Sequence, residues 1–248
     1  AGMKPSVLIL CVACLLMDGF DVQAMGYVAP ALIRDWNIPR EILGPALSAV
    51  LVGVLVGSLG MGMLADKFGR RPILIAGCLW FSVLTLATTQ VATLNQLIAC
   101  RFLAGVGLGG IMPNAVALVG EFSPERLRVT IMMNVANGFT IGAAFGGFVA
   151  AWIIPLYGWR GVFLFGGLVP LVIAVCMYLW LPESQQYQKP SAGVPLIRLF
   201  EGGRGAGTLL LWIANFMNLL NLYFLSNWLP TLVRDAGYSS QTAVLAGT

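Results

Sequence analysis

The chain has 248 residues, of which 58% are hydrophobic and only 10% are charged, with a formal net charge of +4 and no histidine. Soluble domains carry about a quarter charged residues, so this composition excludes a soluble globular protein and predicts a polytopic membrane protein. The lack of histidine, of a metal-ligating cluster and of a nucleophile–base pair in the sequence argues against an enzyme, a metal site or a cofactor.

Apolar segments of membrane-crossing length follow one another along the chain. A helix that crosses a bilayer needs about 20 apolar residues. We place seven segments at 7–33, 43–65, 73–92, 96–120, 127–154, 160–181 and 207–232, and an eighth begins near Gln241. The predicted fold class is therefore an all-α integral membrane protein that lies in the lipid bilayer.

The first segment carries two carboxylates, Asp18 and Asp21, near its midpoint. A charged side chain at the centre of a membrane helix costs about 2.5–3.5 kcal/mol on insertion scales. Three residues apart, the two side chains share one helix face, so we expect them to point away from lipid, into a wet cavity or toward a cation. The alternative is a structural polar pair that only joins helices.

The turn between the second and third segments holds Gly62, Asp66, Gly69, Arg70 and Arg71. Gly69 permits a tight turn, and the charged residues can pair with helix ends and with charges on other segments. We predict that this turn belongs to an inner gate. A basic turn that only follows the positive-inside rule explains the two arginines, but it does not explain the spacing of the other three residues.

The fourth segment contains Arg101, and the turn after it contains Glu121 and Arg128. The long side chain of Arg101 can snorkel to the membrane interface, or it can reach Asp21 or Asp18, which need a cation. Glu121 and Arg128 are candidates for the same inner gate as the preceding turn.

The fifth segment contains Asn137, which either lines a cavity or packs in the core. After the sixth segment comes the polar stretch 182–206. We predict a six-helix half at 1–184, a cytoplasmic linker at 185–206 and the start of a second half at 207–248.

Lysine and arginine are distributed unevenly between two sets of loops. The loops on the side of the N-terminus hold nine basic residues, namely Lys4, Lys67, Arg70, Arg71, Arg126, Arg128, Lys189, Arg198 and Arg204. The opposite loops hold four, namely Arg34, Arg40, Arg160 and Arg234. The positive-inside rule then predicts a cytoplasmic N-terminus. Because these residues are divided among short loops, they give no argument for a nucleic-acid partner.

An internal repeat relates the first and seventh segments. The residues that recur 200 positions later are Met17, Pro30, Leu32, Arg34 and Asp35. In the same register, Asp18 meets Asn218 and Asp21 meets Asn221. Parallel repeats of this kind are typical of one class of transporters, which implies two six-helix halves with polar groups from both facing a midplane cavity. The alternative is that the two asparagines only form hydrogen bonds between helices.

Three motifs resemble those of the major facilitator superfamily. The turn 62–71 reads G-x-x-x-D-x-x-G-R-R, the stretch 101–110 resembles the glycine-rich fourth-helix motif, and 121–128 has the spacing E-x-x-P-x-x-x-R. The ending Pro-Glu-Ser at 182–184 resembles that of many solute porters. The resemblance implies the major facilitator fold, of which the chain holds helices 1–7 and the start of helix 8.

The stretch Asp18-Gly19-Phe20-Asp21 resembles the D-G-x-D motif of the aromatic acid:H+ symporters. This resemblance covers nearly the whole chain and implies import of an aromatic carboxylate with a proton across the bacterial inner membrane. A proton on either aspartate would remove repulsion toward an anionic substrate, and the sequence leaves open which of the two carries it. Tyr27 and Phe20 either stack on the substrate ring or pack in the core.

Other functions remain as alternatives at this stage. A porter for a sugar or another organic ion is compatible with the superfamily motifs, although the D-G-x-D motif argues against it. A retinal protein needs a lysine in its last helix, whereas Lys4, Lys67 and Lys189 lie at the terminus or in loops. We expect a monomer, because one chain with two halves builds its own cavity.

Overall fold

The computed structural model describes residues 4–184, 200, 202–203 and 205–246. Within these residues the regular structure is helical, which confirms the predicted fold class. The helices are α1 (Pro5–Trp36), α2 (Gly44–Phe68), α3 (Arg70–Thr88), α4 (Leu94–Leu108), α5 (Ile111–Phe122), α6 (Arg128–Trp180), α7 (Gly205–Asp235) and α8 (Ser240–Ala246). Short 3-10 turns at Arg40–Leu43 and Glu125–Leu127 lead into α2 and α6.

Helix α6 contains two of the predicted membrane segments. It has 53 residues and consists of two helices, because Gly146 in its first part and Gly166 in its second part both lie against the ring of Phe20. At Gly158, φ is 69° and ψ is −175°, and this residue divides α6 into the spans 128–157 and 159–180. The sequence predicted a loop between residues 154 and 160. In the structure, Gly158 alone departs from helical geometry at this point, and the residues on both sides of it are helical.

The predicted fourth segment consists of two helices, α4 and α5, which meet at Gly109 and Gly110. Together they form one stretch that is long and apolar enough to cross a membrane. The Asn114 side chain donates a hydrogen bond to the Gly110 carbonyl oxygen at 2.7 Å. A side chain thus satisfies a backbone acceptor near the interruption, and hydrophobicity alone does not reveal this break.

Helix α1 lies at the centre of the bundle and packs most extensively against α6. The two helices cross in backbone contact. A Cβ added to Gly19 would lie 1.9 Å from the Phe139 carbonyl oxygen, and a Cβ added to Gly142 would lie 1.9 Å from the Leu16 carbonyl oxygen. Small residues permit this close approach in membranes. Residues 17–29 of α1, which include both carboxylates, are all buried in the bundle.

The repeat-related carboxylates Asp35 and Asp235 have different partners. Asp35 accepts hydrogen bonds from Trp159 Nε1 at 2.9 Å and from Arg160 Nη1 at 3.4 Å. Asp235, at the end of α7, forms an ion pair with Arg40. One carboxylate therefore joins α1 to α6, whereas its counterpart joins α7 to the turn before α2.

The predicted linker at 185–206, with Lys189, Arg198 and Arg204, lies largely outside the described residues. Helix α7 begins at Gly205 and packs against α1 and α8. The domain boundaries at 184 and 207 stay predictions.

Candidate functional site

Asp21 and Arg101 form an ion pair in the interior of the bundle. Helix α1 supplies Asp21 and α4 supplies Arg101, and both side chains are fully buried. Arg101 Nη1 donates to Asp21 Oδ1 at 3.2 Å and to Oδ2 at 3.1 Å. Of the two predicted alternatives for Arg101, the structure shows the pairing with an aspartate, and the snorkelling alternative is wrong.

Helix α3 adds two hydroxyl groups to this pair that the sequence analysis missed. Thr85 Oγ1 donates to Asp21 Oδ1 at 2.9 Å and accepts from Arg101 Nη2 at 3.1 Å. Thr88 Oγ1 accepts from the same nitrogen at 2.9 Å. The guanidinium carbon also lies 4.7 Å from the centroid of the Phe163 ring, within cation–π distance. The signal for the hydroxyls was present in the sequence, because residues 82, 85 and 88 place a polar stripe on one face of an apolar helix.

Asp18 lies one helical turn from Asp21 and is also buried, with 3% of its surface exposed. It makes no hydrogen bond or ion pair with any residue in the described ranges. The two carboxylates therefore differ, since Asp21 has a cation and a hydroxyl donor and Asp18 has neither.

The two aromatic candidates pack inside the bundle. Phe20 is buried, and its ring centroid lies 5.5 Å from that of Phe165. Tyr27 is buried, and its hydroxyl donates to the Ala143 carbonyl oxygen at 2.8 Å. Both rings thus fill the contact between α1 and α6, which favours the packing alternative over stacking on a substrate.

The three amide candidates are not brought onto the carboxylates. Asn137 on α6 and Asn218 and Asn221 on α7 are exposed. Within the described part of the chain none of them forms a hydrogen bond with Asp18 or Asp21. Their role in a cavity stays a prediction.

The inner-gate candidates divide into two groups. Arg70 forms an ion pair with Glu121 at 2.5 Å, and Arg128 lines the same small cavity beside them, with its Nε buried. By contrast, Asp66 is exposed and forms no ion pair with another described residue. An added Cβ at Gly62 would meet no atom within 4 Å. The structure therefore brings together Arg70, Glu121 and Arg128, and leaves Asp66 and Gly62 apart from them.

Glu183 connects the start of α3 to the end of α6. The sequence analysis did not predict this contact. Its Oε1 accepts hydrogen bonds from the backbone nitrogens of Arg71 at 3.3 Å and Ser184 at 2.8 Å. Gly69 has φ of 97°, and a Cβ there would lie 2.9 Å from Glu183 Oε1. Arg71 Nη2 in turn donates to the Tyr178 carbonyl oxygen at 2.6 Å. The glycine of the turn thus gives the carboxylate access to the first turn of α3.

We expect that Glu183→Ala lowers the free energy of unfolding by about 1–3 kcal/mol, because it leaves the partly buried amide of Arg71 without its acceptor and removes a negative charge from a helix N-terminus. Thermal unfolding of the full-length protein in detergent measures this change. Glu125→Ala is the matched control, since Glu125 is exposed in the neighbouring turn and forms no ion pair with a described residue. Equal unfolding temperatures for the two variants would contradict the expectation.

No group of three or more cysteine, aspartate and glutamate side chains in the described ranges is placed to hold a metal ion. Asp21, Arg101 and Thr85 instead pair with one another. The arrangement places one carboxylate beside a cation and a second carboxylate, Asp18, without a cation among the described residues.

Comparison with known proteins adds to these observations. The sequence profile of the Major Facilitator Superfamily matches residues 11–248. The 4-hydroxybenzoate transporter PcaK of Pseudomonas aeruginosa is 42% identical over 97% of this chain and 61% of its own length. The gallate transporter of Pseudomonas putida is 37% identical over 96% of this chain and 60% of its own length. The 3-(3-hydroxy-phenyl)propionate transporter of Escherichia coli is 37% identical over 94% of this chain and 58% of its own length.

Solved structures show the same fold at low sequence identity. A bacterial homolog of the human lysosomal transporter Spinster, in an inward-facing occupied conformation, has a TM-score of 0.79 at 19% identity and covers 99% of this chain and 58% of its own. A D-xylose-proton symporter has a TM-score of 0.72 at 15% identity, and the match covers 97% of this chain and 64% of the symporter. The chain spans about three fifths of the length of the curated relatives above, which are named as transporters and not as enzymes. It is a multi-pass membrane protein that belongs to the major facilitator superfamily.

Proposed function

We propose that the full-length protein is a secondary active transporter that imports aromatic carboxylates together with protons by alternating access. The three relatives named above are transporters of hydroxylated aromatic acids by their names. The observation in this chain that supports the proposal is the pair of buried carboxylates on α1, of which Asp21 alone has a cation among the residues that the structure describes.

Asp18 is the proton site in this proposal. Asp21 is paired with Arg101 and Thr85, whereas Asp18 forms no hydrogen bond or ion pair with a described residue. Burying a charge without a partner is costly, and a proton on Asp18 removes that cost, whereas Asp21 already has Arg101 as its counter-ion. A proton on Asp18 also removes repulsion toward a carboxylate substrate. Proton binding and substrate binding change each other's affinity by the same free energy. Bound substrate therefore favours the protonated form of Asp18.

The distribution of basic residues between the loops supports a proposal for the location and orientation of the protein. We assign it to the bacterial inner membrane with a cytoplasmic N-terminus, because nine of the basic residues lie in loops on that side and four on the other. The cluster of Arg70, Glu121 and Arg128 is then cytoplasmic and belongs to the inner gate. We propose a monomer in the lipid bilayer as the transporting unit.

The test is uptake of labelled 4-hydroxybenzoate by proteoliposomes that contain the full-length protein, with and without an inward proton gradient. For Asp18→Asn we expect loss of the stimulation by the gradient, with exchange of substrate across the membrane retained, because the amide cannot bind and release a proton. For Asp21→Asn we expect loss of both activities, because the change leaves Arg101 buried without its counter-ion.

Asp35→Asn is the matched control, since it replaces a half-exposed carboxylate at the end of the same helix. It is expected to keep gradient-driven uptake. Gradient-driven uptake by Asp18→Asn at the wild-type level would exclude Asp18 as the proton site. Uptake of xylose without uptake of aromatic acids would overturn the proposed substrate class.

A further inference from the structure

Thr85 occupies a special position at the Asp21–Arg101 pair. Its hydroxyl donates to the carboxylate and accepts from the guanidinium group, at 2.9 and 3.1 Å. The side chain is fully buried. Thr88 also contacts Arg101, but its own proton is donated to the Leu84 carbonyl oxygen of α3 at 2.8 Å. Among the described residues, Thr85 is therefore the hydroxyl that contacts both charges.

The donors of Arg101 are divided between these partners. Nη1 makes both contacts with Asp21, Nη2 is held by Thr85 and Thr88, and Nε is buried without a hydrogen bond. The pair is thus not the two-nitrogen fork that arginine commonly forms with a carboxylate. Because α3 holds Nη2, Asp21 is left with one nitrogen of Arg101 and the hydroxyl of Thr85.

We propose that Thr85 is a positioning residue for proton coupling, an inference that rests on the proposed function. Its hydroxyl fixes the position of Asp21 on α1 relative to Arg101 on α4. It thereby keeps the Asp21 carboxylate paired with Arg101 and Thr85, so that the transported proton binds at Asp18. Without this hydroxyl, Asp21 loses one of its two partners, and the distinction between the two carboxylates becomes smaller.

The experiment compares two activities of the full-length protein in proteoliposomes. Gradient-driven uptake requires net proton movement, whereas counterflow of substrate at equal pH on both sides does not. We expect Thr85→Val to lower gradient-driven uptake about ten-fold, as for the loss of one hydrogen bond to a charged group, and to change counterflow by less than about two-fold. Thr85→Ser keeps the hydroxyl and is expected to restore gradient-driven uptake. Thr88→Val is expected to have the smaller effect, since it does not remove a contact with Asp21.

Thr89→Val is the matched control at the C-terminal cap of the same helix, because the Thr89 hydroxyl donates to the Leu86 carbonyl oxygen and contacts neither charge. Wild-type gradient-driven uptake in Thr85→Val would overturn the proposal. Equal loss of both activities in Thr85→Val, without rescue by Thr85→Ser, would also overturn it and indicate a purely structural role. Uptake by the wild-type protein tests the proposed function itself, independently of the Thr85 variants. If the wild type carries xylose and not 4-hydroxybenzoate, the substrate class is wrong, and the same variants are compared with xylose.

Discussion

Arg101→Met is expected to abolish transport and to lower the free energy of unfolding by about 3–5 kcal/mol, the cost of leaving one member of a buried ion pair without its partner. The change removes the cation from Asp21, which is fully buried, and it also removes the donor that Thr85 and Thr88 accept. Methionine retains much of the side-chain volume, so packing against Phe163 is largely kept. Thermal unfolding in detergent and uptake in proteoliposomes measure the two effects.

The double variant Arg101→Met with Asp21→Asn separates charge from shape. Because it removes both charges, it is expected to recover most of the unfolding temperature and none of the gradient-driven uptake. Replacement of a whole buried pair by neutral groups is often close to neutral for stability. Equal destabilisation in the single and double variants would mean that Arg101 stabilises the bundle by packing and not by its charge.

Gly19→Ala and Gly142→Ala are each expected to prevent correct packing of α1 against α6. A Cβ at either position would lie 1.9 Å from a backbone carbonyl oxygen of the other helix, so the clash is with backbone and not with a side chain that can rotate away. Overpacking typically costs about 1–3 kcal/mol, occasionally more, and we expect the upper part of this range or beyond. The yield of monodisperse protein after detergent extraction and its unfolding temperature are the measurements.

Gly60→Ala is the matched control, because the same substitution in α2 meets no atom within 4 Å. In a helix it is expected to be neutral or slightly stabilising, since alanine has the higher helix propensity. A stable, active Gly19→Ala protein would show that the two helices can move apart without loss of the site. It would thus contradict the close crossing as a requirement for holding Asp18 and Asp21 in place.

The sequence predicted the membrane segments because each is a continuous apolar run, a property of local composition. It also located Asp18 and Asp21 as exceptional, because two carboxylates within such a run are rare. It left open whether Arg101 pairs with one of them. That contact joins residues 80 positions apart, and only the arrangement of α1, α3 and α4 in the folded bundle decides it.

Other features of the site depend in the same way on contacts between distant segments. Thr85 joins the pair from 64 positions away, and a threonine in a membrane helix is unremarkable until its neighbours are known. Glu183 reaches Arg71 over 112 positions, so its contact with the turn at Gly69 was not apparent. Asp66 matched the superfamily signature, and yet it is exposed here, because a motif specifies residue types and not their partners.

The paired state of Asp21 has a consequence for the effect of the membrane potential. The potential acts on net charge, at about 2.3 kcal/mol per elementary charge per 100 mV, and the Asp21–Arg101 pair has none. In the proposed mechanism the empty site has one negative charge, on Asp18. When Asp18 is protonated and a monocarboxylate is bound, the site again has one negative charge, now on the substrate. The empty and loaded forms then respond equally to voltage, and one proton with one monocarboxylate crosses as a neutral sum, driven by the pH difference and the substrate gradient.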